Sequence, residues 1–219
     1  MPSVTSLTIY TVGHSTRSLG ELVRLLKENG IQTVIDVRTV PRSRHNPQFN
    51  RECLSTELER SGIKYQHIPE LGGFRRPQSN SPNAGWRNAG FRGFADYMGT
   101  PQFEEGLVQC IATAQKTRSA IMCSEAVPRR CHRSLIADAL TVRGYEVLNI
   151  FGVASLKLHK LTPWASIHGI RLTYPAQGMV PGGTMRGRKA RESAGMRQGP
   201  SNRNVSAASI TPLANYLLR

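Results

Sequence analysis

The stretch SAIMCSEAVPRRCHRSLIADALTVRGYEVLNIFG, residues 119–152, decides the fold. It begins with an apolar run, SAIMCS (119–124), and ends with a second one, YEVLNIFG (145–152), and each run predicts a buried strand. Between them, CHRSLIADALTVRG (131–144) repeats apolar residues at helical spacing. A strand, a helix and a strand in this order are typical of two parallel strands joined by a crossover helix.

The same alternation of strands and helices runs back to the beginning of the chain. Apolar runs predict further strands over 7–12, 32–37 and 63–68, and capped amphipathic segments predict helices over 19–30, 50–62 and 100–116. The cap signals are Gly30, Gly62, Asn50, Thr100 and Pro101. We therefore predict a Rossmann-like α/β domain with a mostly parallel sheet of about five strands, helices on both faces, and strands that are continuously apolar.

A long segment, residues 69–99, interrupts this alternation. It is rich in Gly, Asn, Pro and Arg and is too long for an ordinary connection between a strand and a helix, so we interpret it as a loop insertion. Its aromatic residues alternate with arginines, an arrangement that could stack nucleic-acid bases. We favour the other interpretation, in which they anchor the insertion to the domain. These residues are Trp86, Phe91, Phe94 and Tyr97.

Composition changes after the predicted sheet. We predict an α/β domain over residues 1–168 and a basic, largely disordered tail over 169–219, because apolar periodicity fades there. The net charge of the chain is +15, and residues 170–219 hold eight Arg and Lys residues and one Glu. Such an excess attracts polyphosphates, nucleic acid included, without sequence preference.

Cysteine usage and hydropathy point to a cytoplasmic protein. The four cysteines, at 53, 110, 123 and 131, have no framework spacing, which favours a reducing compartment over a disulfide scaffold. The first residues show no signal-peptide pattern, and no window of the sequence is apolar enough for a membrane span, so we expect no membrane partner. The sequence indicates no particular cofactor or oligomeric state.

Unusual polar residues follow four of the predicted strands, at the point where each strand ends. The carboxyl ends of parallel strands meet at one edge of a sheet, where ligands bind in open α/β folds. We therefore predict that these residues share one site. They are Gly13, His14 and Ser15 after the first strand, Asp36, Arg38, Arg42 and Arg44 after the second, Gly72 and Gly73 after the third, and Cys123, Glu125, Cys131, His132 and Arg133 after the fourth.

Four blocks of this sequence also match a known pattern. In order, TVGHSTRSLGELVRLL, VIDVRTVPRSRHNPQFN, LGG and MCSEAVPRRCHR resemble the signature blocks of the bacterial and archaeal family called domain of unknown function 488. The resemblance covers about residues 7–152 and implies a cytosolic α/β domain, but no particular reaction. The resemblance also implies a set of shared positions. They are Gly13, His14, Ser15, Asp36, Arg38, Pro41, Ser43, Arg44, Leu71, Gly72, Gly73, Cys123, Glu125, Cys131, His132 and Arg133.

Cys131 is our first candidate for a nucleophile. It lies at or just before a predicted helix N-terminus, among several arginines, and both features stabilise a thiolate. His132 or His14 would carry its proton, and Glu125, Cys123 and Asp36 complete the candidate catalytic set. The alternative is that Cys131 is a small apolar residue packed at the start of a helix.

Two other kinds of site are less well supported. CSEAVPR (123–129) has the C-x5-R spacing of thiol phosphatases and rhodanese-like sulfurtransferases, but it lacks Gly, and Glu125 would repel a phosphate. Cys123, Cys131, His132 and His14 could hold zinc, yet the spacing is unusual, and residues 131 and 132 would point about 100° apart on a helix. We therefore assign no metal ligands.

The remaining candidates form a ligand-binding set. Arginines near backbone N–H groups suit a phosphate or a carboxylate, unless Asp36 pairs with Arg38 and Glu125 with Arg133. The set is Gly13, Ser15, Arg38, Arg42, Arg44, Gly72, Gly73, His132 and Arg133. The leading hypothesis is an enzyme, a hydrolase or a transferase, that acts on a phosphorylated ligand such as a nucleotide or nucleic acid. The alternative is a non-catalytic module that binds nucleic acid or another anionic partner.

Overall fold

A six-stranded sheet forms the centre of the protein, with helices on both faces. The computed structural model describes residues 7–176. The strands are β1 (Thr8–Gly13), β2 (Thr33–Asp36), β3 (Lys64–His67), β4 (Ser119–Cys123), β5 (Glu146–Gly152) and β6 (Ser155–Leu158), and a separate hairpin contains β7 (Ser166–His168) and β8 (Arg171–Thr173). The helices are α1 (Leu19–Glu28), α2 (Arg51–Arg60), α3 (Ala89–Tyr97), α4 (Pro101–Lys116) and α5 (Arg133–Thr141).

The predicted fold class is confirmed. The order of strands in the sheet is β3-β2-β4-β1-β5-β6, and every pair is parallel except β5 with β6. The ends of the five predicted strands agree with the structure to within one residue, and those of the four predicted helices to within one turn. The expected continuous apolar pattern is wrong for β3, which lies at the edge of the sheet and is only partly buried.

Two apolar clusters hold the helices on opposite faces of the sheet. Side chains of successive strand residues alternate between them, because a strand has a period of two. One cluster joins Tyr10, Val12, Val34, Ala120 and Met122 to leucines of α1 and α2. The other joins Ile9, Ile35, Ile121 and Val147 to side chains of α3, α4 and α5. The sheet is therefore covered on both faces, and its carboxyl edge is where loops can form a site.

The insertion is more ordered than a loop. It contains α3, whose N-cap Asn88 accepts a hydrogen bond from the backbone N–H of Phe91. Trp86 stacks on Phe91 with ring centroids 4.7 Å apart and meets the edge of Trp164 at 5.1 Å. These aromatic side chains pack against the core, as the anchor interpretation predicts.

The described domain continues past residue 168, because the hairpin of β7 and β8 spans that position. Tyr174, beyond the hairpin, is fully buried, and its hydroxyl donates to the carboxylate of Asp138 on α5. From residue 177 onward, the predicted tail lies outside the described residues. Among residues 7–176, no helix is long and apolar enough to cross a membrane.

Asp138 ties the segment after the sheet to α5. Its buried carboxylate accepts hydrogen bonds from Nε2 of His159, from the backbone N–H and hydroxyl of Thr162, and from Tyr174. Asp138→Asn replaces one accepting oxygen with a donor, which then faces other donors. We expect the free energy of unfolding to fall by about 2–3 kcal/mol, measured by urea denaturation. Glu59→Gln, at an exposed position of α2, is the control, and equal losses in both variants would contradict this role for Asp138.

Candidate functional site

A cleft of about 640 Å³ opens at the carboxyl edge of the sheet. The loops that follow β1, β2 and β4 line it, together with part of the insertion. Residues distant in sequence meet there because parallel strands all end at this edge. The predicted site residues that line it are His14, Ser15, Arg38, Arg42, Gly73, Cys123, Glu125, Cys131 and His132.

The other five predicted residues do not line the cleft. Gly13, Asp36, Gly72 and Arg133 are buried behind its wall, where they hold the lining residues in position. Arg44 is exposed to solvent. The predicted set thus divides into residues that face the cleft and residues that support them.

His132 lies between two thiols. Its Nε2 is 3.1 Å from the carbonyl oxygen of Val37, so we place the ring hydrogen on Nε2, which donates to that oxygen. The lone pair of Nδ1 then faces the thiols, with Sγ of Cys131 at 3.8 Å and Sγ of Cys123 at 3.9 Å. The imidazole can therefore accept a proton from either thiol.

The two thiols differ in acidity. A hydrogen bond from Cys131, followed by the hydrogen bond and charge of His132 and the charge of Arg133, lowers the pKa of Cys123 well below its ordinary value, although burial opposes this. The same interaction with Cys123, together with burial, raises the pKa of Cys131 well above the ordinary value. The interaction between the two thiols therefore favours ionisation of Cys123 over ionisation of Cys131.

Cys131 is not part of α5, contrary to the predicted helix start at residue 131. It follows a 3-10 turn, Pro128–Arg130, and has an extended backbone with φ −130° and ψ 142°. The helix begins at Arg133, because the turn and the extended residue separate it from β4. Cys131 thus lies immediately before the N-cap, His132, which agrees with a position just before the helix N-terminus.

Arg133 supports the loop after β4 and does not act as an anion clamp. The side chain is 1% exposed, and its Nη atoms donate to the carbonyl oxygens of Glu125 and Ala126. Its Nε has no hydrogen-bond partner among residues 7–176. A buried cation with an unpaired donor beside two thiols favours negative charge on sulfur.

Glu125 lines the cleft without pairing with Arg133, so this half of the alternative, in which acidic and basic side chains only satisfy one another, does not hold. Its Oε1 accepts a hydrogen bond from the backbone N–H of Val127 at 3.1 Å, while Arg133 contacts only its backbone carbonyl. The short loop turns back on itself, and this holds the carboxylate near its own backbone. In the C-x5-R motif, Arg129 does not line the cleft, whereas the neighbouring Arg130 does.

Asp36 and Arg38 form the other expected ion pair. The carboxylate of Asp36 accepts from Nη2 of Arg38 at 2.6 Å and from the hydroxyl of Tyr65 at 2.7 Å. Burial opposes the charge of Arg38, but the hydrogen bonds and charge of Asp36 raise its pKa above the ordinary value. Asp36 is thus enclosed by its partners and acts on the cleft through Arg38.

His14 forms part of the cleft wall beside Arg38. Its Nδ1 lies 2.9 Å from the carbonyl oxygen of Ser15, and its ring stacks on Phe49 with centroids 4.0 Å apart. Its Nε2 accepts from Nη1 of Arg38 at 3.4 Å. Burial lowers the pKa of His14 below its ordinary value, so the ring is neutral near pH 7. The contacts of its two nitrogens do not include either thiol.

The cleft rim carries exposed arginines and exposed apolar side chains, of which only Arg42 belongs to the predicted set. Arg130 and the predicted Arg42 are exposed there. Phe74 is 83% exposed and Val40 58% exposed on the same rim. No local pattern marks Phe74 as exposed, because Phe94 also follows a glycine and is fully buried.

Cys123, Cys131 and His132 also form a donor set that could hold a metal. Sγ of each cysteine and a ring nitrogen of His132 lie within 4.8 Å of one another, and soft divalent ions accept thiolate and imidazole. The geometric argument against zinc assumed that residues 131 and 132 are both helical, which is wrong for Cys131. His14 is not part of this group.

Gly73 allows the His132 ring to approach the backbone. A Cβ atom at Gly73 would lie 2.4 Å from Nδ1 of His132, whereas one at Gly20 on α1 would meet nothing within 4 Å. We expect Gly73→Ala to displace the imidazole and to slow alkylation of Cys123 by iodoacetamide about tenfold, followed by peptide mass spectrometry. Gly20→Ala is the matched control and should react like the unchanged protein. An unchanged rate in Gly73→Ala would show that His132 does not assist the thiol.

Comparison with known proteins gives one match. The model of the family described as domain of unknown function DUF488 matches residues 18–140, which is more than half of the chain and includes both cleft cysteines and His132. Gly13, His14 and Ser15 lie just before the matched range. Neither the curated proteins nor the solved structures that were compared with the chain include a match. The chain belongs to the DUF488 family.

Proposed function

We propose that this protein is an enzyme that uses the Cys123 thiolate as a nucleophile on an anionic, phosphorylated substrate bound in the cleft. The observation that carries the proposal is the position of His132. Its Nε2–H donates to the carbonyl oxygen of Val37, so Nδ1 faces Cys123 and can act as a base. A nucleophile, its base and a group that orients the base are the parts that covalent catalysis requires.

Cys123 replaces Cys131 as the proposed nucleophile. It ends β4 on the cleft wall, and its pKa is lowered by its hydrogen bond with Cys131 and by its contact with His132. Cys131 supplies that hydrogen bond and stays protonated. The buried Arg133 adds a positive charge that opposes protonation of Cys123.

The reaction follows from these contacts. His132 holds the proton of Cys123 on Nδ1 while the thiolate attacks the phosphorus of the substrate, and the S–P bond forms as the bond to the leaving group breaks. The imidazolium then gives its proton to the leaving group. Attack by water on the covalent intermediate would make the protein a hydrolase, and attack by another acceptor would make it a transferase.

The rim suggests the substrate. Arg42 and Arg130 offer two guanidinium groups to an anion, and neither carries an ion pair with a carboxylate of residues 7–176. Their two positive charges outweigh the carboxylate of Glu125, which lines the same cleft and repels a phosphate. Phe74 and Val40 offer apolar surface beside them. A phosphate joined to a planar or apolar group matches both features, and a nucleotide has this composition. The same features support the rival function, a module that binds such an anion without reacting.

Two serine variants separate the enzyme from the binding module. With p-nitrophenyl phosphate as a generic substrate, Cys123→Ser should lower kcat about a hundredfold or more, because a serine hydroxyl is a far weaker nucleophile. Cys131→Ser should keep much of the activity, because serine still donates a hydrogen bond. Cys53→Ser, at an exposed position of α2, is the control. The reverse ranking would restore Cys131 as nucleophile. Equal activity in all three would exclude a thiol nucleophile, and no turnover by the unchanged protein would leave only the binding module.

The pH dependence of alkylation tests the same assignment. Iodoacetamide reacts with thiolate, so the rate rises with pH and levels off above the pKa of the thiol. Since the pKa of Cys123 is lowered, the alkylation rate of Cys123 should level off at a lower pH than the rate of a cysteine in a short peptide. Cys131→Ala and His132→Gln each remove a contact that lowers this pKa, so both should move the curve to higher pH. Peptide mass spectrometry measures the rate, and a peptide-like curve for Cys123 in the unchanged protein would oppose the proposal.

A further inference from the structure

The cleft holds two cysteines where one nucleophile is enough. The chain has four cysteines, and only Cys123 and Cys131 line this cleft. Their sulfur atoms lie within 4.8 Å of each other, and a disulfide bond is about 2 Å long, so bonding needs an approach of less than about 3 Å. We propose that Cys123 and Cys131 form a reversible disulfide, which gives the protein an oxidised form without a free nucleophile.

The approach involves two buried residues that flank one short loop. Cys123 is the last residue of β4, and Cys131 is extended between the 3-10 turn and α5. Both side chains lie in the buried apolar cluster, so the sulfurs come together only if each residue changes rotamer within the core. The segment between them is held by Arg133 through two carbonyl oxygens, and these contacts do not involve either sulfur.

The chemistry needs an oxidant, which we take to be a peroxide. The Cys123 thiolate attacks one oxygen of the peroxide, and this oxygen stays on sulfur as sulfenic acid while the O–O bond breaks. The other oxygen takes the Cys123 proton held on Nδ1 of His132 and leaves as the alcohol or, from hydrogen peroxide, as water. Cys131 then attacks the sulfenic sulfur, His132 accepts its proton at Nδ1, and the sulfenic hydroxyl leaves as water after taking up that proton. Two thiols are thereby oxidised to one disulfide, and two electrons reduce the peroxide. A dithiol restores the thiols by exchange.

Of the other two cysteines, Cys110 serves as an internal control and Cys53 is the one to replace in the test. Cys110 is fully buried in α4, and burial raises the pKa of its thiol to about 12. Cys53 is exposed on α2, away from the cleft. Reaction confined to Cys123 and Cys131 would therefore report on the cleft and not on general oxidation of the chain.

That oxidation removes the nucleophile rests on the proposed function. The disulfide bond itself can be measured without a substrate. The full chain carrying Cys53→Ser, which prevents linkage between molecules, is treated with hydrogen peroxide, alkylated and digested with trypsin. Arg129 and Arg130 lie between the two cysteines, so trypsin separates them, and a linked pair of peptides identifies the bond. We expect the linked pair to be the main product and to disappear after treatment with dithiothreitol.

A second variant tests the role of Cys131. In Cys131→Ser, with Cys131→Ala as a replacement if the first does not fold, Cys123 has no partner and should proceed to sulfinic and sulfonic acid. Dithiothreitol should then restore almost none of its reactivity with iodoacetamide, whereas the protein with both cysteines should recover nearly all of it. Circular dichroism confirms that each variant is folded.

Three results would overturn the inference. One is sulfinic acid at Cys123 without linked peptides in the protein that keeps both cysteines. Another is equal recovery with and without Cys131. The third is a bound zinc ion, found by elemental analysis, together with no linked peptides either before or after a chelator removes the zinc. If linkage forms but no turnover is ever detected, the proposed function fails and the disulfide stands; turnover without linkage gives the opposite outcome.

Discussion

The hydrogen bond from His132 to the carbonyl of Val37 is the contact on which the site depends. It joins the residue after β2 to the segment between β4 and α5. Because one ring nitrogen is occupied by a backbone acceptor, the other must present its lone pair to the thiols. This one contact therefore sets the tautomer, the orientation of the ring and the separation between the imidazole and both sulfur atoms.

The polar groups behind the cleft are arranged so that negative charge on sulfur is favoured. Arg38 is neutralised by Asp36, so its charge is already balanced. No carboxylate of residues 7–176 forms an ion pair with Arg133, which lies behind the loop that carries Glu125. Buried charges are costly without a counter-charge, and a thiolate at Cys123 would supply one. The neutral His14 adds no opposing charge to this part of the site.

Close backbone approach also shapes the site. Gly73 leaves space for the His132 ring, and a Cβ at Gly13 would lie 1.9 Å from the carbonyl oxygen of Glu125. Neither glycine can touch a ligand through a side chain, yet each sets the position of a residue that lines the cleft. The insertion closes the opposite wall, because its aromatic anchor and α3 hold Phe91 and the neighbouring segment against the domain. The cleft therefore depends on glycines that leave space as well as on side chains that contact one another.

The sequence by itself determined the α/β class, the order along the chain of the five parallel strands and their helices, and the edge at which polar residues would gather. These follow from hydrophobic periodicity and capping, which are local, and from the rule that parallel strands end at one edge. The roles of Cys123, Arg133 and Glu125 depended on the tertiary structure, as did α3, β6 and the last hairpin. Whether a thiol ionises, or an arginine faces a ligand or a carbonyl, depends on distances of a few ångströms between segments far apart in the chain, and no local pattern encodes those distances.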